Sequence, residues 1–68
     1  MTHHEFHESL KLHRIRMREF SRIVDVNEST VHHWKSGKSR IPLAVTILIR
    51  LLNSGKISVD DMKLKSGK

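Results

Sequence analysis

The sequence predicts an all-α fold, a compact bundle of about five short helices around a central pair joined by a tight turn. Three observations carry that expectation. Apolar residues recur at i, i+3 and i+4 in several short windows, with little strand character anywhere. Helix-start residues (Thr2, Asn27, Ser58) and glycine stops (Gly37, Gly55) punctuate the chain at helix-length intervals. With 68 residues and no cysteine, the chain suits one small domain whose core is not reinforced by disulfides or thiolate metal sites.

Each element follows from local chemistry. Thr2 and Glu5 have the Thr-x-x-Glu spacing of a capping box, which starts the first helix near His3. Phe6 and Leu10 share one face, and the helix is expected to fade over 13–15. A second helix is predicted over 17–24, where Phe20, Ile23 and Val24 form an apolar stripe. Asp25-Val26-Asn27 is the turn. Asn27 is placed to cap the third helix, over 28–36, by accepting an orphan backbone N–H on its side-chain oxygen. Glu28 in the first turn complements the helix dipole, and Gly37 supplies the left-handed stop.

On a helical wheel Val31 and Trp34 fall together and face inward, while Ser29, His32, His33 and Ser36 point outward. Pro42 fits the first turn of a fourth helix, where its missing N–H is harmless. That helix runs to about Asn53. Its Leu43, Val45, Ile47, Leu48, Ile49, Leu51 and Leu52 are apolar nearly all round, as suits a central helix or one shared with a second subunit. Asn53-Ser54-Gly55 ends it, and Ser58 caps a last short helix carrying Asp61, Met62 and Leu64. Residues 1–65 then form the domain, and the tail 66–68 is expected to fray.

Formal net charge is +6 and the sequence pI is about 10.4, a balance that favours anionic partners, nucleic acid before membrane. No apolar run approaches the ~18–20 residues of a membrane span, and the N-terminal stretch has no apolar central region of the secretory kind. The expected location is a bacterial or phage-infected cytoplasm. The chain offers no nucleophile–base–acid set, no phosphate-cradling glycine loop and no paired carboxylates suited to a pocket. Asp60-Asp61 reads as first-turn helix charge. The expectation is a protein that is not an enzyme and uses no cofactor, metal or small-molecule substrate.

Residues 18–40, REFSRIVDVNESTVHHWKSGKSR, contain the most informative pattern: two short helices, a tight turn, a glycine stop and a basic loop. Such a pair lets its second helix enter a DNA major groove while the first crosses the backbone. The order Phe20-Ser21, Val24-Asp25-Val26-Asn27, Val31, Trp34 and then Ser36-Gly37-Lys38 resembles the helix-turn-helix of the lambda-repressor-like family, which includes phage Cro and repressor proteins and the Xre regulators. Ile41-Pro42 with the apolar helix after it, and Ile57-Ser58-Val59-Asp60, extend the resemblance over about residues 6–62. There are departures. Ser21 stands where the family has alanine between the two helices, and Asp25 where it has a turn glycine; aspartate tolerates positive φ better than most residues. Met17 stands where the family often has a phosphate-contacting glutamine, a role that falls here to Arg16 or Arg18.

The resemblance implies roles for particular residues. Glu28, Ser29 and His33 would face base edges, with His32 on the same outer face. Arg16, Arg18, Ser36, the Gly37 and Lys38 backbone, and the Lys38 and Arg40 side chains would contact phosphate. The implied partner is double-stranded DNA, bound by a homodimer whose half-sites lie about one helical turn apart. Leu48, Leu51, Leu52, Met62 and Leu64 are the dimer-interface candidates, with the fourth helix as plain core the alternative.

Other features have ordinary readings. Trp34 at its spacing from Val31 belongs to the core rather than to a base stack. His3 and His7 share a helical face at a metal-ligand spacing, yet no third ligand accompanies them, so they are expected as surface histidines. The basic residues Lys11, Arg14, Arg16, Arg18 and Arg22 flank the motif, and some are expected to touch phosphate. The reading is a sequence-specific transcription regulator, a Cro-like repressor that occludes a promoter. A protein-interaction module or antitoxin-type adaptor on the same fold is the alternative, and a non-specific nucleic-acid binder is the second alternative.

Overall fold

Four of the five helices end in the same way, and those endings set the fold. The computed structural model describes residues 1–66, with side chains through Met62. In chain order the helices are α1 (His3–Leu12), α2 (Met17–Val24), α3 (Glu28–Ser36), α4 (Leu43–Asn53) and α5 (Val59–Ser66). No strand occurs among the described residues, so the protein is a small all-α bundle measuring 29 × 25 × 20 Å. After each of α1 to α4 one residue turns left-handed: Arg14 (φ 57°), Asp25 (φ 59°), Gly37 (φ 84°) and Gly55 (φ 80°). The next amide then reaches back five residues, Ile15 to Leu10, Val26 to Ser21, Lys38 to His33 and Lys56 to Leu51, at 2.9–3.0 Å. This wrap satisfies carbonyls that a helix end otherwise leaves open and turns the chain back on itself.

The starts are more varied. The Thr2–Glu5 capping box forms as the spacing predicts, with the Thr2 amide donating to Glu5 Oε1 at 2.8 Å and the Glu5 amide to Thr2 Oγ1 at 3.1 Å. Ser58 and Asp61 reproduce it at α5, with bonds of 2.9 and 3.2 Å. Asn27 departs from expectation. It occupies the N-cap position of α3 but its side chain makes no capping bond. The donor it was to serve is taken, because the Thr30 amide closes a tight first turn on the Asn27 carbonyl at 3.0 Å. Pro42 is the N-cap of α4 rather than a first-turn residue. α5 reaches Ser66, one residue into the tripeptide expected to fray; residues 67 and 68 lie outside the described residues.

The core is built around Phe6. Its ring meets Phe20 at 5.5 Å and 71°, and Trp34 at 6.0 Å and 86°, both edge-on. Such pairs add about 0.5–1.5 kcal/mol each beyond the area they bury. Val31 and Ile49 are also fully buried, and Leu10, Ile15, Val45, Leu52 and Met62 close the cluster. One polar brace crosses the bundle: Asn53 donates to Ser9 at 3.1 Å and pairs with the His13 ring at 2.8 Å, tying the C-terminal ends of α1 and α4 together. Among the described residues no buried side-chain polar atom lacks a partner. No described helix is long and apolar enough to cross a membrane.

Candidate nucleic-acid interface

The α2–turn–α3 unit holds its second helix by the inner face alone. Val31 is fully buried and Trp34 is 4% exposed. Between the helices Ser21 is 5% exposed, and its hydroxyl donates to the Arg18 carbonyl at 2.7 Å. A serine therefore fits this close approach by satisfying itself within its own helix. Asp25 adopts φ 59° and ψ 53°, so the turn keeps its left-handed shape without glycine.

With Val31 and Trp34 anchored, the outer face of α3 presents Glu28, Ser29, His32 and Ser36 as exposed residues and His33 as half-buried. Among the described residues Ser29 and His32 have no side-chain hydrogen-bond or ion-pair partner. The His32 and His33 rings lie 6.4 Å apart and tilted by 53°, too far apart to stack closely. Glu28 has a partner across the turn, with Arg18 Nε 3.7 Å from Glu28 Oε1. Both side chains are largely exposed, so the pair adds little to stability. It nonetheless joins an expected phosphate contact to an expected base contact.

Cations gather at two places beside α3. Arg16, at the N-cap of α2, lines an open groove with His7, Lys11 and Lys35, where α1, α2 and α3 meet. Lys35 was not among the residues singled out from the sequence. Its place in the last turn of α3 reads only as dipole compensation until the fold brings Arg16 beside it. The second place is the loop after α3, which carries the exposed Lys38 and Arg40.

One expected contact is corrected here. The Gly37, Lys38 and Ser39 amides all converge on the His33 carbonyl, the latter two at 2.9 and 3.2 Å, and the Ser36 hydroxyl adds a fourth donor at 3.3 Å. The Gly37 and Lys38 backbone donors are consumed by the helix stop and do not point free toward a phosphate. At these three residues any anion contact falls to side chains.

The dimer candidates also divide. Leu52 and Met62 are 4% and 3% exposed and belong to the core, so they are not available to a partner. Leu48 and Leu51 are half-buried and line an apolar groove with Ile23 and Ile57. The Leu64 side chain lies outside the described residues. The exposed large apolar residues of α4 are instead Leu43 (73%) and Ile47 (48%). An all-round apolar sequence conceals which face stays bare, because periodicity has no polar stripe to register against.

Asp61 closes the α5 cap, as its first-turn position suggests. The Glu5 carboxyl is held below the usual carboxylate range, first by the hydrogen bond from the Thr2 amide. Among the described residues no group of three His, Asp or Glu side chains is placed to hold a metal ion. Comparison with protein-family models, with curated proteins and with solved structures finds no match to this chain.

Proposed function

We propose that the protein is a sequence-specific double-stranded DNA-binding transcription regulator of the Cro/Xre type. It inserts α3 in the major groove and represses by occluding a promoter, without catalysis or cofactor. The observation that carries this reading is the outer face of α3, where Ser29 and His32 lack polar partners and cations flank both ends. Arg16 and Arg18 stand at the start of α2, and Lys38 and Arg40 follow α3. Base edges would be read by Glu28, Ser29, His33 and His32. Phosphates would be held by the Arg16, Arg18, Lys38 and Arg40 side chains, the Ser36 hydroxyl being spent on the His33 carbonyl; these contacts position the domain without specifying sequence. The Arg18–Glu28 pair supports a carboxylate at this interface, because the guanidinium offsets its repulsion from phosphate. A bacterial or phage-infected cytoplasm is the setting this activity implies.

Occupying a two-fold operator requires two copies, and Leu48 and Leu51 are the proposed dimer contacts that remain on the surface. The test is fluorescence anisotropy with random duplex pools at two salt concentrations, followed by sequencing of the bound fraction. Enrichment of a symmetric site with half-sites about one turn (~34 Å) apart is the expected result. Salt-sensitive binding without enrichment would mean a non-specific binder. No binding even at low salt would discard the groove-reading account.

The second reading, an interaction module or antitoxin-type adaptor, is favoured by the exposure of Leu43 and Ile47 on α4. It predicts that Leu43→Ser with Ile47→Ser abolishes partner capture and leaves DNA affinity unchanged.

A further inference from the structure

The loop after α3 is covered from one side by the first turn of α1. A Cβ built at Gly37 would lie 2.8 Å from His3 Cδ2 and 3.0 Å from Cγ, so the imidazole rests on a bare Cα. Glycine is required here twice: for φ 84°, and to let the ring approach. Beside this contact lies a hollow lined by His3, Lys38, Ser39 and Arg40, and no carboxylate lines it. His3 and the consecutive Lys38, Ser39 and Arg40, distant in sequence, thereby present three nitrogen-bearing side chains and a hydroxyl to one small volume.

We propose that this hollow is a phosphodiester-binding site. Lys38 and Arg40 supply two permanent cations, Ser39 a hydroxyl donor, and His3 a third cation when protonated. The site rests on the DNA reading above and deepens it: the phosphate belongs to the strand flanking α3, and α1 takes part in holding it. Phosphate suits the donor set because it offers several acceptor oxygens to groups converging from different directions. With the Gly37, Lys38 and Ser39 amides spent on the His33 carbonyl, these side chains are the donors those residues offer an anion.

The third cation makes binding proton-linked. Imidazole ordinarily titrates near pH ~6.5. Lys38, Arg40 and Met1 line the hollow with His3, and the titratable groups nearest it along α1 are His4, Glu5 and His7. Glu5 is turned to the Thr2 amide at 2.8 Å, and His7 lines the separate groove shared with Arg16. A bound phosphate favours the imidazolium, so binding takes up a proton and tightens as pH falls.

The direct probe is dimethyl phosphate, which keeps one negative charge throughout the titration, followed by NMR at matched ionic strength. The expected result is an upward move of the His3 titration midpoint, larger than that of exposed His4, with amide shifts at Lys38, Ser39 and Arg40. The response should vanish in Lys38→Ala/Arg40→Ala. A His3 midpoint that moves no more than that of His4, or moves equally in the double variant, overturns the site. With duplex DNA, lowering the pH from about 7.5 to 5.5 should tighten wild-type binding about two- to fivefold more than that of His3→Ala, an exposed ion pair's worth. The wild-type salt slope should also steepen by about 0.9, one phosphate contact. Equal pH dependence in wild type and His3→Ala removes His3 from the DNA contact and leaves the DNA reading intact. A dimethyl phosphate response without any duplex binding keeps the site and removes that reading.

Discussion

The two faces of α3 have opposite jobs. The inner face is locked: Val31 and Trp34 are buried, and the indole stands edge-on to Phe6. The outer face is nearly idle: among the described residues Ser29 and His32 have no polar partner, and Glu28 has an exposed ion pair. The difference teaches that folding and recognition are carried by different side chains of one nine-residue helix. Changes on one face should then be felt as stability and changes on the other as binding.

Trp34→Ala is the severest trial of that division. Removing the indole should cost about 3–5 kcal/mol, comparable with the roughly 3–10 kcal/mol that holds a domain of this size together. Thermal melts by circular dichroism should show it unfolded or nearly so at room temperature; a stable fold would mean the aromatic core is not what holds α3. Next in size is Ser29→Glu with His33→Glu. Surface changes of this kind usually stay within about 0.5 kcal/mol each of wild-type stability, so the melt should barely move. Two added charges on the groove-facing side should nonetheless abolish duplex binding in the anisotropy assay.

A smaller effect belongs to the left-handed helix stops before and after α2. Arg14 and Asp25 are held left-handed, where most L-residues lose about 1–2 kcal/mol. Arg14→Gly should therefore stabilise by about 1 kcal/mol and raise Tm by about 4–8 °C. Asp25→Gly should gain less, because aspartate tolerates this conformation; a larger gain at Asp25 than at Arg14 would invert the argument.

The smallest effect is at Glu5. Its carboxyl pKa is depressed in the folded chain, so its contribution is present above the ordinary carboxylate range. It is lost as pH falls through the lowered value. In Glu5→Gln the acid limb of the stability profile should flatten slightly, with the melt at neutral pH lowered a little.

Much of this was legible in the sequence. The bounds of α2 and α3 and the end of α4 follow from apolar spacing, a turn and a glycine, and the structure places them there, while α4 starts one residue later than Pro42 suggested. The inward turn of Val31 and Trp34 followed from the helical period. What stayed hidden required the third dimension. Arginine carries no signal for a left-handed stop, so the wrap at Arg14 shows only in the Ile15–Leu10 bond. Asn27 has the composition of a cap, yet a tightened first turn removed its donor. Leu52 and Met62 were indistinguishable from Leu43 and Ile47 until packing chose between them. The approach of His3 to Gly37 links positions no local pattern connects, and Lys35 became notable only beside Arg16.

The repeated backward wrap at Ile15, Val26, Lys38 and Lys56 has a consequence for how quickly the molecule forms. It keeps the connections to four, three, six and five residues, so closing each one sacrifices little chain entropy. Helices tethered so closely find one another by short diffusive searches, as in other helical bundles of low contact order, which fold in microseconds to milliseconds. A freshly synthesised chain would spend little time with Phe6, Phe20 and Trp34 uncovered, and so little time open to aggregation.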